Sequence, residues 1–193
     1  REIKNINPET KIFVDGVAYL PHNIVDVDDF DIDYYVISFY KFCSLRISAL
    51  YCKNLNDIEN QYHSMFDNSK TSKYIEIGGI NYELGSAVIG LSEYLIDLAK
   101  FFNYNNSNNQ NLSFTRDLYK FVMNKINDQE NKLTKLFREK LLDNNEIEIV
   151  EDKLKKKIPI FSLKFKNLKE NNINLILNQL NLICKNSTFY CDR

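Results

Sequence analysis

Two apolar runs and the residues that close them constrain this chain most. Ile12–Val14 ends in Asp15-Gly16, and Tyr34–Ile37 ends in Ser38-Phe39-Tyr40-Lys41. Short runs rich in β-branched and aromatic residues read as buried strands, and a third, Ile47–Tyr51, follows. In an open α/β sheet, ligands sit outside the carboxyl ends of the strands, so residues that just follow neighbouring strands can converge on one small molecule. Asp15 and Lys41 both occupy such positions.

These two residue types suit the chemistry of pyridoxal phosphate. A lysine amine holds the cofactor aldehyde as a Schiff base, while a carboxylate keeps the pyridine nitrogen protonated. Ser38 and Tyr40, beside the lysine, would then donate hydrogen bonds to the phosphate. Taken singly, an Asp after a strand is a turn or cap residue and a Lys after Tyr is a solvated one. Only the joint pattern carries the argument.

The sequence also resembles the class V aminotransferase family, pyridoxal-phosphate proteins of fold type I, and within it the cysteine desulfurase-like subfamily. Three blocks in the family's order carry the resemblance: Val14 to His22, Asp33 to Lys41, and Glu76-Ile77-Gly78-Gly79-Ile80-Asn81-Tyr82-Glu83. Carried over by position, it implies Lys41 as the Schiff-base lysine and Asp15 as the partner of the pyridine nitrogen. Ser38 and Tyr40 become phosphate contacts, Val17 packs on one face of the ring, and His22 lies near the pocket. Glu76 to Asn81, with Gly79 among the cofactor-binding residues, corresponds to the loop that reaches into the neighbouring subunit's site, so a homodimer is implied.

Two departures stand out. The Gly-Pro pair that usually follows the family's lysine is replaced by Phe42-Cys43-Ser44-Leu45-Arg46, and Ala18 stands where desulfurases commonly carry Gln. Without the glycine and proline, the turn after Lys41 must reach its shape by other means.

Four cysteines, Cys43, Cys52, Cys184 and Cys191, form no CxxC pair. Cys191 falls about where group II cysteine desulfurases place the nucleophile that receives sulfur. It also reads simply as a small apolar residue on a strand. Two histidines, His22 and His63, are too few for a His-built metal site.

Helical periodicity runs from Leu84 to Phe102 and again from Phe114 to Leu142, on either side of an Asn-rich polar stretch. The second helix suits a connection between domains. Beyond it, Glu146–Val150 and Ile158–Phe165 read as strands around the basic run Lys153–Lys157, followed by a helix over 172–184 and a last strand at Ser187–Cys191. The expected fold is α/β: residues 1–112 form the C-terminal part of a fold-type I large domain, and 113–193 form a connecting helix and a partial small α+β domain. Family members carry a long segment before the Asp15 strand, including a phosphate-cradling turn, and an arginine-bearing strand after the last block. The chain therefore reads as a fragment, inactive as written.

Acids and bases are balanced, with a net charge of −1, which gives no electrostatic case for nucleic acid or a membrane surface. No apolar run approaches the roughly 20 residues that span a bilayer. A cytoplasmic protein is expected, with organellar targeting left open. The expected function is a pyridoxal-phosphate transferase or lyase of the cysteine desulfurase-like kind, acting on a small-molecule amino acid substrate. The alternative is a degenerate family member that serves as a dimerisation or interaction module.

Overall fold

Asp33 sets how the first two strands meet. Its carboxylate is buried and accepts the Ile12 N–H at 2.8 Å, while the N–H groups of Asp33 and Tyr34 both donate to the Ile12 carbonyl. Lys4, on the short helix α1 (Glu2–Ile6), lies 2.9 Å from the same carboxylate and compensates its charge. In this computed structural model, which describes residues 2–57, 81–104, 112–150, 158–168 and 170–184, β1 (Phe13–Asp15) pairs in parallel with β2 (Tyr34–Ser38). The one-turn helix α2 (Val27–Phe30) lies between them, capped by the Asp26 side chain. β3 (Ser48–Cys52) runs antiparallel on the other side of β2, giving the sheet order β1-β2-β3.

The three expected strands therefore form, but they are not buried throughout as their composition suggests. Tyr35 is the one fully buried strand residue of this sheet, and Phe13 is largely exposed. With only three strands among the described residues, β1 and β3 are both edges and each has a free side.

Apolar burial is concentrated instead in two helices, α3 (Tyr82–Phe101) and α4 (Arg116–Leu142). Leu91, Leu95 and Ala99 of α3 and Leu118, Val122 and Met123 of α4 form one core with Phe42. Four-residue steps from Leu91 to Ala99 and from Leu118 to Val122 place these side chains on facing stripes. Asn81 caps the start of α3, its side chain accepting the Leu84 N–H at 2.9 Å. At the other end Asn103 takes a left-handed conformation and Tyr104 N–H returns to Ala99, a common way to satisfy the last carbonyls.

The chain divides into two compact units, Arg1–Glu130 and Asn131–Arg193. The division falls inside α4, whereas the sequence places a domain boundary before that helix, at residue 112. The first part of α4 enters the core of the first unit because Leu118, Val122 and Met123 are needed to cover α3. In the second unit β4 (Ile147–Ile149) pairs antiparallel with β5 (Leu163–Phe165), and α5 spans Glu170–Gln179. Among the described residues only Leu141 of this unit is buried, and Phe137 packs on Phe161 at a ring separation of 4.8 Å.

Two expectations for this unit need correction. The strand expected over Ile158–Phe165 is confined to its last three residues, because Pro159 offers no N–H to a ladder and Ile160 N–H turns back to Ile158. The helix expected over 172–184 ends earlier, where Asn181 enters the left-handed region and Leu182 N–H closes on Leu177. The Lys153–Lys157 run and the Ser187–Cys191 strand lie outside the described residues.

The bond from Ile12, followed by the Lys4 ammonium, holds the Asp33 carboxyl below its ordinary value. A carboxyl depressed on folding stabilises the fold above the unfolded value, near 4, and loses that contribution as pH falls through the lower folded value. Asp33→Asn should therefore be less stable than the parent near neutrality, with the gap closing in strongly acidic solution. Denaturant midpoints measured across that range check it, and a gap independent of pH would contradict the assignment.

Candidate functional site

Parallel pairing of β1 and β2 brings their carboxyl ends to one edge of the sheet. Asp15 is the last residue of β1, in register with Val36, and β2 continues through Ser38 into a 3-10 turn at Phe39–Lys41. Asp15 is exposed, and one carboxylate oxygen accepts the Val17 N–H at 3.0 Å in a local turn. The chain then coils, with Tyr19 and Leu20 N–H groups both donating to Gly16.

The 3-10 turn decides which way Lys41 faces. Side chains three residues apart overlie one another in such a turn. Phe39 and Phe42 both join the helical core, and Tyr40 and Lys41 are left exposed. Phe42 N–H and Ser44 N–H both return to Phe39, and Phe42 meets Tyr119 edge to face at 6.5 Å. Two devices replace the missing glycine and proline. Cys43 takes a positive φ of 57°, and the Ser44 hydroxyl donates to the Ala87 carbonyl of α3 at 3.0 Å.

Beneath the Asp15 turn, Gly16 and Tyr35 are fitted to one another. A Cβ at Gly16 would stand 1.9 Å from Cζ of Tyr35, so the ring lies where any larger residue would project. The Tyr35 hydroxyl is buried with no hydrogen-bond partner, and burial pushes its pKa up to about 12. Tyr119 is in the same condition, also raised to about 12 by burial. Neither phenol is an acid or base at ordinary pH.

Of the residues singled out from sequence, Asp15, Val17, Ser38, Tyr40 and Lys41 thus lie along the carboxyl edge of β1 and β2 or in the turns that leave it. His22 is half-buried and its Nδ1 lies 2.7 Å from Glu130 Oε1 of α4, which ties the end of the Asp15 turn to the long helix. Gly79 and Cys191 lie outside the described residues. Asn81, within the third block, serves as a helix cap. Nothing in the periodicity announced the close fit of Gly16 to Tyr35. The spacing of Phe39 and Phe42 was the available signal for the orientation of Lys41.

The donor set fits pyridoxal phosphate. One carboxylate oxygen of Asp15, the Lys41 amine and the Ser38 and Tyr40 hydroxyls have no partner among the described residues. No group of acids, histidines and cysteines among the described residues could hold a metal ion.

The comparisons with known proteins point the same way. An aminotransferase-like protein of Gibberella zeae is 35% identical over 89 residues, covering 45% of this chain and 22% of that protein. A cysteine desulfurase-like protein of Aspergillus flavus is 30% identical over 95 residues, covering 47% and 21%. The crystal structure of the cysteine desulfurase CsdA from Escherichia coli aligns with a TM-score of 0.60 at 20% identity, over 90% of this chain and 40% of that one. The chain resembles the cysteine desulfurase-like class V aminotransferases. Its fold is the α/β fold of the fold-type I pyridoxal-phosphate transferases, here in part. No family model matches the sequence. The chain spans about a fifth of the length of these two curated relatives. Among the described residues no helix is long and apolar enough to cross a membrane.

Two substitutions probe the edge. Gly16→Ala should destabilise by about 1–3 kcal/mol through overpacking against Tyr35, whereas Tyr35→Phe, which removes an unpartnered hydroxyl, should leave stability unchanged or raise it by about 1 kcal/mol. At the turn, Cys43→Gly should stabilise by about 1 kcal/mol, because glycine meets no Cβ penalty at positive φ. Chemical denaturation of each variant gives the sign, and a stabilised Gly16→Ala protein would refute the close fit.

Proposed function

We propose that this chain is part of a pyridoxal-phosphate enzyme acting on an amino acid, with Lys41 as the lysine that holds the cofactor. One observation carries the reading: the parallel register of β1 and β2 sets Asp15 and the Lys41 turn on the same edge of the sheet. The aminotransferase-like and cysteine desulfurase-like relatives support the reaction class, with cysteine desulfuration, transamination or β-elimination as its members.

Bound there, pyridoxal phosphate would supply a sink for the electrons released when a substrate Cα bond breaks. The free oxygen of Asp15 favours a proton on the pyridine nitrogen, because a nearby negative charge stabilises the cationic form. Ser38 and Tyr40 would donate hydrogen bonds to the phosphate, and Val17 would pack against the ring. Lys41 Nζ would take and return the Cα proton. The Phe39 and Phe42 anchors leave that amine on the solvent side of the turn. A homodimer in which each subunit completes its neighbour's site belongs to the same proposal.

The altered turn after Lys41 and Ala18 in place of Gln favour a second reading, a family member that kept the fold as an interaction module. Absorption of the full-length protein purified with pyridoxal phosphate separates the two. The enzyme reading expects a visible band that borohydride fixes covalently and that Lys41→Ala abolishes, with Asp15→Asn still trapped but turning over about 10–100-fold more slowly. A well-folded protein that binds no cofactor would leave the module reading standing.

A further inference from the structure

The loop joining β2 to β3 carries a second cation besides Lys41. Phe39 N–H donates to the Ile47 carbonyl at 2.9 Å, so the loop closes on itself and sets Tyr40 close to Arg46. The Arg46 guanidinium carbon stands 5.9 Å from the centre of the Tyr40 ring, within the range of a cation–π contact. Tyr40 is in turn the neighbour of Lys41. Residues 39–47 thus present an amine and a guanidinium, both exposed, and neither has a carboxylate partner among the described residues.

At the opposite end of β2 the charges behave differently. Lys4, Lys11 and Lys53 lie 2.9, 2.8 and 2.9 Å from the carboxylates of Asp33, Asp57 and Asp31. Cations around the start of this strand are neutralised in place, and those after its end are left open. An open arginine on a loop ordinarily samples many rotamers, but stacking on Tyr40 narrows that range before any ligand arrives, which lowers the ordering cost of binding. Its planar fork matches an oxyanion through two parallel N–H bonds, a geometry that lysine cannot reproduce.

We propose that Arg46 binds the oxyanion of the molecule whose reactive carbon meets the Lys41 amine. The inference rests on the reading of Lys41 given above. The anion is either the phosphate monoester of the cofactor or the α-carboxylate of the amino acid. Arg46 and Lys41 would hold neighbouring groups of one ligand on the carboxyl edge, with Asp15 serving the ring nitrogen on the far side of the ring.

The test uses the full-length protein, titrated with pyridoxal phosphate or with pyridoxal, reduced with borohydride, and read by the mass of the Lys41 peptide. If the phosphate is the anion, Arg46→Ala raises the half-saturating concentration of pyridoxal phosphate by about ten-fold or more, leaves pyridoxal unaffected, and Arg46→Lys falls between. If the carboxylate is the anion, both aldehydes load as in the parent. The L-alanine concentration that displaces the visible band then rises by a similar factor. Parental behaviour of Arg46→Ala in all three titrations overturns the inference while Lys41 labelling stands. Absence of Lys41 labelling in the parent overturns the reading of the site and this inference with it.

Discussion

Insertion of Phe39 and Phe42 into the α3–α4 core is the constraint on which the site depends. Full burial of an aromatic contributes about 1.5–3 kcal/mol relative to exposure; Phe42 is buried, Phe39 is partly buried against the same core, and the two are separated by one period of a 3-10 turn. The residues between them have no choice of side. Tyr40 and Lys41 face solvent because their neighbours do not, and the orientation of the candidate catalytic amine is thus set by apolar packing rather than by any polar contact of its own. The helices in turn owe part of their core to the turn, since Phe42 belongs to the same buried cluster as Leu91, Leu95 and Leu118.

The sheet is organised by a different force. A buried carboxylate at the start of β2 takes a backbone donor from the chain entering β1 and a lysine from α1, which fixes the register of two strands separated by a long connection. Register then dictates chemistry at the far end, because a slip of one residue would turn the side chains of β1 to the opposite face. Asp33 and Asp15 are residues of one type with opposite roles. The first is buried and paired, and the second is exposed with an oxygen to spare.

Much of this was legible in the residues. The strand cores near Val14, Val36 and Leu50, the two long helices, and the placement of Asp15 and Lys41 after neighbouring strands all follow from short apolar runs and helical periodicity. Burial was less legible, because composition cannot say whether a strand has neighbours on both sides. Phe13 is as apolar as any core residue and is mostly exposed on an edge. The division inside α4 was hidden for a related reason: Leu133 and Leu136 repeat the stripe of Leu118 and Val122, yet the first pair is exposed and the second buried. The contact of Arg46 with Tyr40 depends on how a loop closes, which the one-dimensional pattern does not encode.

The fit of Gly16 to Tyr35 also bears on how such a site can change over generations. With Tyr35 in place, every residue other than glycine at position 16 is disfavoured, and with glycine in place a smaller residue at position 35 would open a void under the Asp15 turn. The two positions are therefore expected to drift as a pair, a side chain gained at one being matched by bulk lost at the other. Sequences that carry alanine or serine after the strand-ending acid should show a slimmer residue in the middle of the next strand, a covariation written by volume and not by the chemistry of the ligand.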